Sequence, residues 1–267
     1  MRAQLSSEQV EAYRERGFVR LPGLLDRDEL EHWRRAIDLA VAERTERIPG
    51  FADGGRTGDD YYDKVFTQRV NLWRTHPELR TLILDSRLAG LAATLEDQAV
   101  MRLWHDQAFY KGPWANATSW HLDDPYWSFH TRHATSLWIA LDDTTMQNGA
   151  LYFLPGTHRT ARYDNVLIGH NTGALFDIYP EWRRIDPVCV ELKAGDATFH
   201  NGLTAHAAGP NMTPGSRRGM AIIYMPESAA FNGQRNVLPK ELFESLRPGD
   251  RLANNDFNPV VHPPTAR

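Results

Sequence analysis

The stretch "SLWIALDDTTMQNGALYFLPGTH", residues 136–158, contains two short runs of aromatic and aliphatic residues joined by a segment of Asp, Thr, Asn and Gly. Runs of this length bounded by turn-forming residues are typical of β-strands. Further runs of the same kind, "AVMRLW", "VCVEL", "ATFHNGL" and "GMAIIYM", lie on either side of it. Together these runs predict an antiparallel sandwich or barrel.

The residues before about position 99 instead show the patterns of helices. In "SSEQVEAYRERG", Ser6 is placed to cap a helix with Gln9 as its capping-box partner, and Gly17 is placed to end it. "FVRLPGLL" is typical of a short strand and turn, and "DRDELEHWRRAIDLAVAER" of an amphipathic helix capped by Asp26. "THPELRTLILDSRLAGLAATLE" predicts one further helix capped by Thr75. We therefore expect a strand-rich core braced by flanking helices.

The composition excludes several classes of partner. With 30 basic and 34 acidic side chains, the chain has no electrostatic footprint for nucleic acid or an anionic membrane surface. Its single cysteine, Cys189, cannot form an internal disulfide, and the first residues lack the pattern of a secretory signal. No apolar run approaches the roughly 20 residues of a membrane-spanning helix. We expect a soluble cytoplasmic protein, a monomer or homodimer, that acts on a small molecule.

Two features of the sequence each have two interpretations. Five of the eight tryptophans lie close together, which indicates either an aromatic core or a cleft walled by flat rings; they are Trp104, Trp114, Trp120, Trp127 and Trp138. Residues 156–186 form a long irregular connection between strand-like runs. Such a connection is either a lid over a binding site or a surface loop.

The stretch "SWHLDDPYW", residues 119–127, places a histidine and a carboxylate two positions apart. In an extended strand His121 and Asp123 would project from one face and reach a single ion. The pair alone is a weak signal, but iron sites for oxygen chemistry add a second histidine to such a pair. His200 and His206 compete for that role, and a turn after His206 leads to a strand that begins near Arg217.

The position of Arg217 favours His206 as the third ligand. Two antiparallel neighbours joined by the turn "AAGPN" would bring Arg217 beside the metal. A dicarboxylic co-substrate that chelates iron through its keto acid end needs a fixed cation for its far carboxylate, and a guanidinium offers a planar fork of two donors. His200 is then interpreted as a structural histidine or as one that supports a ligand.

With "SLWIALDDTTMQNGALYFLPGTH" between them, His121, Asp123, His206 and Arg217 resemble the motifs of the phytanoyl-CoA dioxygenase family of Fe(II)- and 2-oxoglutarate-dependent oxygenases. The resemblance extends from "EQVEAYRERGFVRLPGLL" to about "NGQRNVLP". It implies a mainly β fold with flanking α-helices, the double-stranded β-helix or jelly roll, in one domain over residues 1–267. The helical part is expected over about residues 1–98 and the jelly-roll core over about 99–230. By this resemblance His121, Asp123 and His206 bind iron, and Arg217 pairs with the distal carboxylate of 2-oxoglutarate.

The resemblance also implies further contacts with the co-substrate. The family places a tryptophan on the strand after the H-x-D motif, which falls on Trp138, and uses the side chain that opens "QAFYK", which is Gln107. An upstream lysine of the family is matched to Lys64. Many members carry a serine two positions after the second metal histidine, where this chain has Ala208. We expect Thr135 to supply the missing hydroxyl.

The resemblance implies that 2-oxoglutarate and O2 are consumed, that succinate and CO2 are formed, and that a substrate C–H is oxidised. Related halogenases have Ala or Gly at the carboxylate position, so Asp123 favours hydroxylation over halogenation. Desaturation or ring formation is the alternative outcome. Tyr126 and Trp127 are expected to form the substrate wall, unless their rings pack against the sheet, and Phe231 is a further candidate.

Two other classes of function remain open at this point. A jelly roll can serve as a noncatalytic ligand-binding protein, but such a protein would not require an open iron site and a carboxylate clamp. A zinc-type hydrolase could use the same three ligands with water. Arg217 has no evident role in a hydrolase of that kind.

Overall fold

The computed structural model describes residues 1, 4–44, 61 and 64–263. The strands of this part of the chain are β1 (Phe18–Leu21), β2 (Thr67–Val70), β3 (Met101–Lys111), β4 (Thr118–His121), β5 (Thr135–Ala140), β6 (Leu151–Phe153), β7 (Val188–Val190), β8 (Ala197–Asn201), β9 (His206–Ala208), β10 (Arg217–Pro226) and β11 (Val260–His262). The α-helices are α1 (Ser7–Arg16), α2 (Arg27–Glu43), α3 (Pro77–Ile83), α4 (Ser86–Glu96), α5 (Thr157–Thr160), α6 (Leu175–Ile178) and α7 (Lys240–Ser245).

The strands form two antiparallel sheets. The large sheet has the order β1-β8-β5-β10-β3-β11, with β2 also paired to β3, and the small sheet has the order β4-β9-β6-β7. Side chains from both sheets share one buried cluster, which includes Trp138 and Ala221 of the large sheet and Phe153 of the small one. The predicted jelly roll is thereby confirmed. The large sheet also recruits β1, β2 and β11, so strands extend beyond the expected limits of 99–230.

One face of the large sheet packs against the helices, and the other faces the space between the two sheets. In β5 the side chains of Leu137 and Ile139 join the core under the helices, whereas Trp138 faces the space between the sheets. This division follows from the alternation of side chains along a strand. On the helix side, Ile37 of α2 and Leu88 of α4 are fully buried in the same core. The helices therefore stabilise the sheet from outside and leave its inner face free to carry polar groups.

The first helix has the predicted caps: Ser6 accepts a hydrogen bond from the Gln9 backbone N–H at 3.2 Å, and Gly17 ends the helix at a φ of 84°. The single helix predicted after Thr75 is wrong, because the structure has two, α3 and α4. His76 caps α3 in place of Thr75. The carboxylate of Asp85 accepts the backbone N–H of Arg87 at 2.8 Å and begins a new helix, which the apolar periodicity did not reveal.

No helix in the described ranges is long and apolar enough to cross a membrane.

Candidate metal centre

Two of the predicted ligands lie on adjacent strands of the small sheet. His121 is the last residue of β4 and His206 the first residue of β9, and their Cα atoms are direct partners in the antiparallel register. Directly opposed side chains on antiparallel strands lie on the same face. The two imidazole rings accordingly stand 4.2 Å apart, centroid to centroid.

Asp123 lies beside these two histidines, but its backbone conformation differs from the extended one expected from the sequence. The strand ends at His121, and Asp123 has helical backbone angles, with φ −81° and ψ −47°, at the start of a 3-10 turn. Its backbone N–H donates to the carbonyl of Gly202 at 3.0 Å. The expectation of an extended H-x-D strand was therefore wrong in its geometry. The carboxylate still lies beside the histidines, with Oδ1 3.6 Å from Nε2 of both His121 and His206.

The protonation of these groups suits a metal ion. Nδ1 of His121 lies 2.8 Å from the carbonyl of Ser119, and Nδ1 of His206 lies 3.0 Å from the carbonyl of Thr204. Each Nδ1 must carry the proton in these contacts, so each Nε2 presents a lone pair. Burial lowers the pKa of both histidines to about 4, and both are therefore neutral at pH 7.

The carboxyl group of Asp123 is ionised. Burial alone would raise its pKa, but the nearby His206 and the hydrogen bond from His200 outweigh that effect and hold the pKa well below its usual range. Two imidazole nitrogens and one carboxylate oxygen within 4.8 Å of one another could hold a metal ion. This donor set, with open positions on the other side, is the facial triad of non-haem iron(II) oxygenases.

The three groups open into a cavity of about 420 Å³ between the two sheets. Its size falls within the range of small-molecule sites in proteins. Two cationic side chains, Lys111 and Arg217, lie at one end of the cavity and are Cα partners across β3 and β10. The predicted placement of Arg217 on a strand paired with that of His206 is wrong. Strand β10 belongs to the large sheet and β9 to the small one, so the two residues meet across the cavity.

The end of the cavity that holds Lys111 and Arg217 is suited to an anion. Burial lowers the pKa of Arg217 to about 10, and burial together with Arg217 lowers the pKa of Lys111 to about 7. Arg217 donates to the carbonyl of Gly149 at 2.8 Å, while its buried Nε has no hydrogen-bond partner among the described residues. Gly149 has a φ of 97°, and a Cβ there would lie 2.6 Å from Cδ of Lys111. Only glycine fits against this lysine.

Besides Arg217, two of the predicted co-substrate residues line the cavity and two do not. Gln107 and Trp138 line it, and the indole ring of Trp138 lies 5.1 Å from the guanidinium carbon of Arg217. Lys64 is exposed and is absent from the lining, where Lys111 occurs instead. Thr135 points to the other face of the large sheet, because side chains alternate along β5.

A different hydroxyl lies where the family's serine is missing. Thr118 lines the cavity and is the Cα partner of Ala208 across β4 and β9. The register between these strands is irregular between Thr118 and His121, and both side chains face inward although they are three positions apart. Strict alternation would have put them on opposite faces.

Aromatic and aliphatic side chains form the rest of the wall. Tyr126 and Trp127 line the cavity as predicted, and Trp127 is also part of the buried cluster between the sheets. Trp127 therefore packs against the sheet and also faces the cavity, and its contact with substrate stays a prediction. Phe231 is buried against Phe129 and Phe243 and does not line the cavity. From the long connection 156–186, Leu167 reaches the rim of the cavity and is 84% exposed.

One further histidine faces the cavity, as its alternation with Asp106 and its shared parity with Gln107 on β3 require. His105 lines the cavity, and burial lowers its pKa to about 4. The pairing of β3 with β10 shifts between Ile223 and Tyr224, so the preceding Trp104 also joins the cluster between the sheets. Asp106 points away and accepts the backbone N–H of Leu72 at 3.0 Å.

Comparison with known proteins agrees with this geometry. The family model described as phytanoyl-CoA dioxygenase (PhyH) matches residues 13–219. A probable alpha-ketoglutarate-dependent hypophosphite dioxygenase of Stutzerimonas stutzeri is 32% identical over 238 residues, which cover 84% of this chain and 79% of that protein.

Solved structures show the same relationship. The crystal structure of the non-heme alpha-ketoglutarate-dependent carbocyclase SnoK from nogalamycin biosynthesis has a TM-score of 0.80 at 27% identity, over 97% of this chain and 98% of that one. The epimerase SnoN, in complex with Fe3+, alpha-ketoglutarate and nogalamycin RO, has a TM-score of 0.74 at 26% identity, over 95% and 97% of the two chains. The chain belongs to the phytanoyl-CoA dioxygenase (PhyH) family and is a non-haem iron dioxygenase that depends on 2-oxoglutarate.

Proposed function

We propose that this enzyme hydroxylates an unactivated C–H bond of a small organic molecule. The substrate R–H, 2-oxoglutarate and O2 would give R–OH, succinate and CO2. One observation carries the proposal: the cluster of His121, Asp123 and His206 opens into the same cavity as the buried cations Lys111 and Arg217. A metal site and an anion site at two ends of one cavity suit a co-substrate that chelates at one end and is charged at the other.

Each group has a separate role in this proposal. His121, Asp123 and His206 hold the iron, which with 2-oxoglutarate supplies the activation of O2 for C–H oxidation. Arg217 and Lys111 hold the distal carboxylate through charge-assisted hydrogen bonds. Gln107 and Trp138, which also line the cavity, would flank the co-substrate chain.

The substrate side of the cavity is built to position a molecule and to exclude water. Tyr126 and Trp127 follow directly after the metal carboxylate, and the hydroxyl of Tyr126 is tied to the carbonyl of Val166 in the long connection. Leu167 and Ile168 of that connection complete the rim. We propose that this part of the connection covers bound substrate. An apolar enclosure of this kind limits oxidation of the wrong partner.

Ring formation or desaturation is the second candidate outcome, because the similar SnoK is a carbocyclase. These reactions use the same iron chemistry with a different fate of the substrate. A hydrolase would not need the two buried cations, and a simple binding protein would not need a metal site beside them. From the composition we also propose a cytoplasmic protein, monomeric or homodimeric, that binds neither nucleic acid nor membranes.

The proposed metal site predicts a visible charge-transfer band when Fe(II) and 2-oxoglutarate are added under anaerobic conditions. His206→Ala should abolish the band, because it removes one of two imidazole ligands. His32→Ala, at a histidine that pairs with Glu78 on the surface, is the control and should retain it. Equal bands in wild type and His206→Ala would show that His206 is not a ligand.

The reaction type is decided by the product. We expect succinate formation across a panel of small substrates to identify one that is turned over, with a product heavier by one oxygen atom in mass spectrometry. A product lighter by two hydrogen atoms would assign desaturation or ring closure instead. Succinate without any change in the substrate would contradict both outcomes for that compound.

The position of Lys111 predicts a pH-dependent affinity for 2-oxoglutarate. Only the protonated lysine binds a carboxylate well, and its pKa near 7 means that affinity should fall as the pH rises through 7. Lys111→Met should weaken binding by about 10-fold to 100-fold at pH 6.5, as expected for a lost charge-assisted hydrogen bond, and remove this pH dependence. Lys64→Met is the matched control and should change neither. The opposite result would restore Lys64 as the family lysine.

The pairing of Thr118 with Ala208 predicts a transferable hydroxyl. Thr118→Val should weaken 2-oxoglutarate binding by about 10-fold, because it removes one donor to the distal carboxylate while keeping the shape. Adding Ala208→Ser to that variant should recover most of the loss, since the serine would stand directly across the strand pair. An unchanged dissociation constant in Thr118→Val would exclude the hydroxyl from the site.

A further inference from the structure

The two oxygens of Asp123 have different surroundings. Oδ1 is the atom that lies 3.6 Å from Nε2 of both His121 and His206. Oδ2 accepts a hydrogen bond from the hydroxyl of Ser136 at 2.9 Å and lies 3.3 Å from Nε2 of His200. One oxygen therefore faces the metal position and the other is engaged by protein donors.

The two donors come from the opposite sheet. Ser136 of β5 and His200 of β8 are Cα partners in the large sheet, whereas Asp123 follows β4 of the small sheet. Both donors are almost completely buried, with 2% and 3% exposure. A carboxylate on a short 3-10 turn is thus fixed from across the cavity by two neighbouring positions of a regular sheet. Such a pair of hydrogen bonds defines both the position and the rotation of the carboxylate plane.

His200 is suited to donate in this contact. Its Nδ1 is buried and has no hydrogen-bond partner among the described residues, so nothing there accepts a proton. The neutral tautomer with hydrogen on Nε2 gives the bond to Asp123, whereas the other tautomer would set a lone pair against a carboxylate oxygen. The ring is held between Phe153, at 5.3 Å, and His206, at 4.6 Å.

The outer face of the sheet fixes the strand that carries His200. Thr135, next to Ser136, donates its hydroxyl hydrogen to the carbonyl of His200 at 3.0 Å. The hydroxyl of Tyr13 on α1, which donates its hydrogen to the carboxylate of Glu96, lies 2.8 Å from the hydroxyl of Thr135. The residue expected to contact the co-substrate therefore supports the donor to Asp123 from behind.

We propose that Ser136 and His200 are positioning residues that hold Oδ2 of Asp123 away from the metal, so that this carboxylate ligates through Oδ1 alone. This inference rests on the proposed iron site. An iron ion held by two histidines and one carboxylate oxygen would also have to accept a chelating 2-oxoglutarate and O2. A carboxylate that bound through both oxygens would occupy a position that O2 needs.

Cobalt(II) titrations in the absence and presence of 2-oxoglutarate test the proposal without turnover. Ser136→Ala and His200→Leu should each weaken Co(II) binding by about 10-fold to 100-fold, the usual range for lost support of a ligand. With 2-oxoglutarate bound, their Co(II) absorption bands should also be weaker than in wild type, because a second carboxylate oxygen raises the coordination number. The double variant should lose less than the sum of the two single losses, since both donors act on one oxygen.

Conservative and matched variants separate positioning from folding. Ser136→Thr and His200→Gln keep a donor and should recover the wild-type Co(II) spectrum. Thr198→Val is the matched control, because it removes a buried hydroxyl of β8 that has no hydrogen-bond partner among the described residues. Thermal unfolding shows whether each variant is folded. If Ser136→Ala does not fold, Ser136→Thr is combined with His200→Leu, and if His200→Leu does not fold, His200→Gln is combined with Ser136→Ala.

The outcomes are distinct. A wild type that binds neither Co(II) nor 2-oxoglutarate would overturn the proposed function itself. A wild type that binds both, with Ser136→Ala and His200→Leu indistinguishable from Thr198→Val in affinity and spectrum, would overturn the positioning role alone.

Discussion

The register that sets His121 opposite His206 is the constraint on which the rest of the site depends. It brings two imidazoles to one face of the small sheet, and the main chain fixes the tautomer of each through a carbonyl two positions earlier. Because the ligand nitrogens are oriented by backbone, they do not depend on further side chains to face the metal. The third ligand does, since Asp123 lies beyond the strand and needs donors from the other sheet.

Strand β5 of the large sheet contributes both to the stability of the fold and to the wall of the cavity. Outward side chains of β5 bury apolar surface under the helices, and inward ones build the cavity. The same cavity buries Lys111 and Arg217 close together, and each of these cations lowers the stability of the unliganded protein. A bound dianion offsets that repulsion, so the co-substrate should stabilise the folded state as well as react in it.

The sequence alone identified the site residues whose roles follow from their chemical type. It did not identify those whose orientation depends on local irregularities of the strands. His121, Asp123, His206 and Arg217 form a recognisable set, and the structure brings them to one cavity. Lys111 was within reach of sequence reasoning, because it shares the parity of Gln107 on a regular strand. The same parity argument, applied from Trp138, would have turned Thr135 outward.

Other structural features could not be predicted from the sequence. The irregular register of β4 turns Thr118 inward at a position that alternation would assign to the outside, and the shift in the pairing of β3 with β10 adds Trp104 to the cluster between the sheets. An isolated β-bridge with Phe129 holds Phe231 outside the cavity, and these two residues are far apart in the sequence. Asp85 divides a continuous apolar pattern into two helices through a single capping bond. Each of these depends on tertiary context that one sequence does not contain.

The pairing of β4 with β9 also fixes a distance along the wall of the cavity. Along β9 the metal histidine His206 and the level of Ala208, near the cationic end, are two residues apart, which corresponds to about 7 Å of strand. The backbone of β9 thus sets one of the distances that a bound 2-oxo acid has to match. A 2-oxo acid one methylene shorter or longer would match this spacing less well, so the backbone register contributes to the choice of co-substrate together with the side chains that bind its charged end.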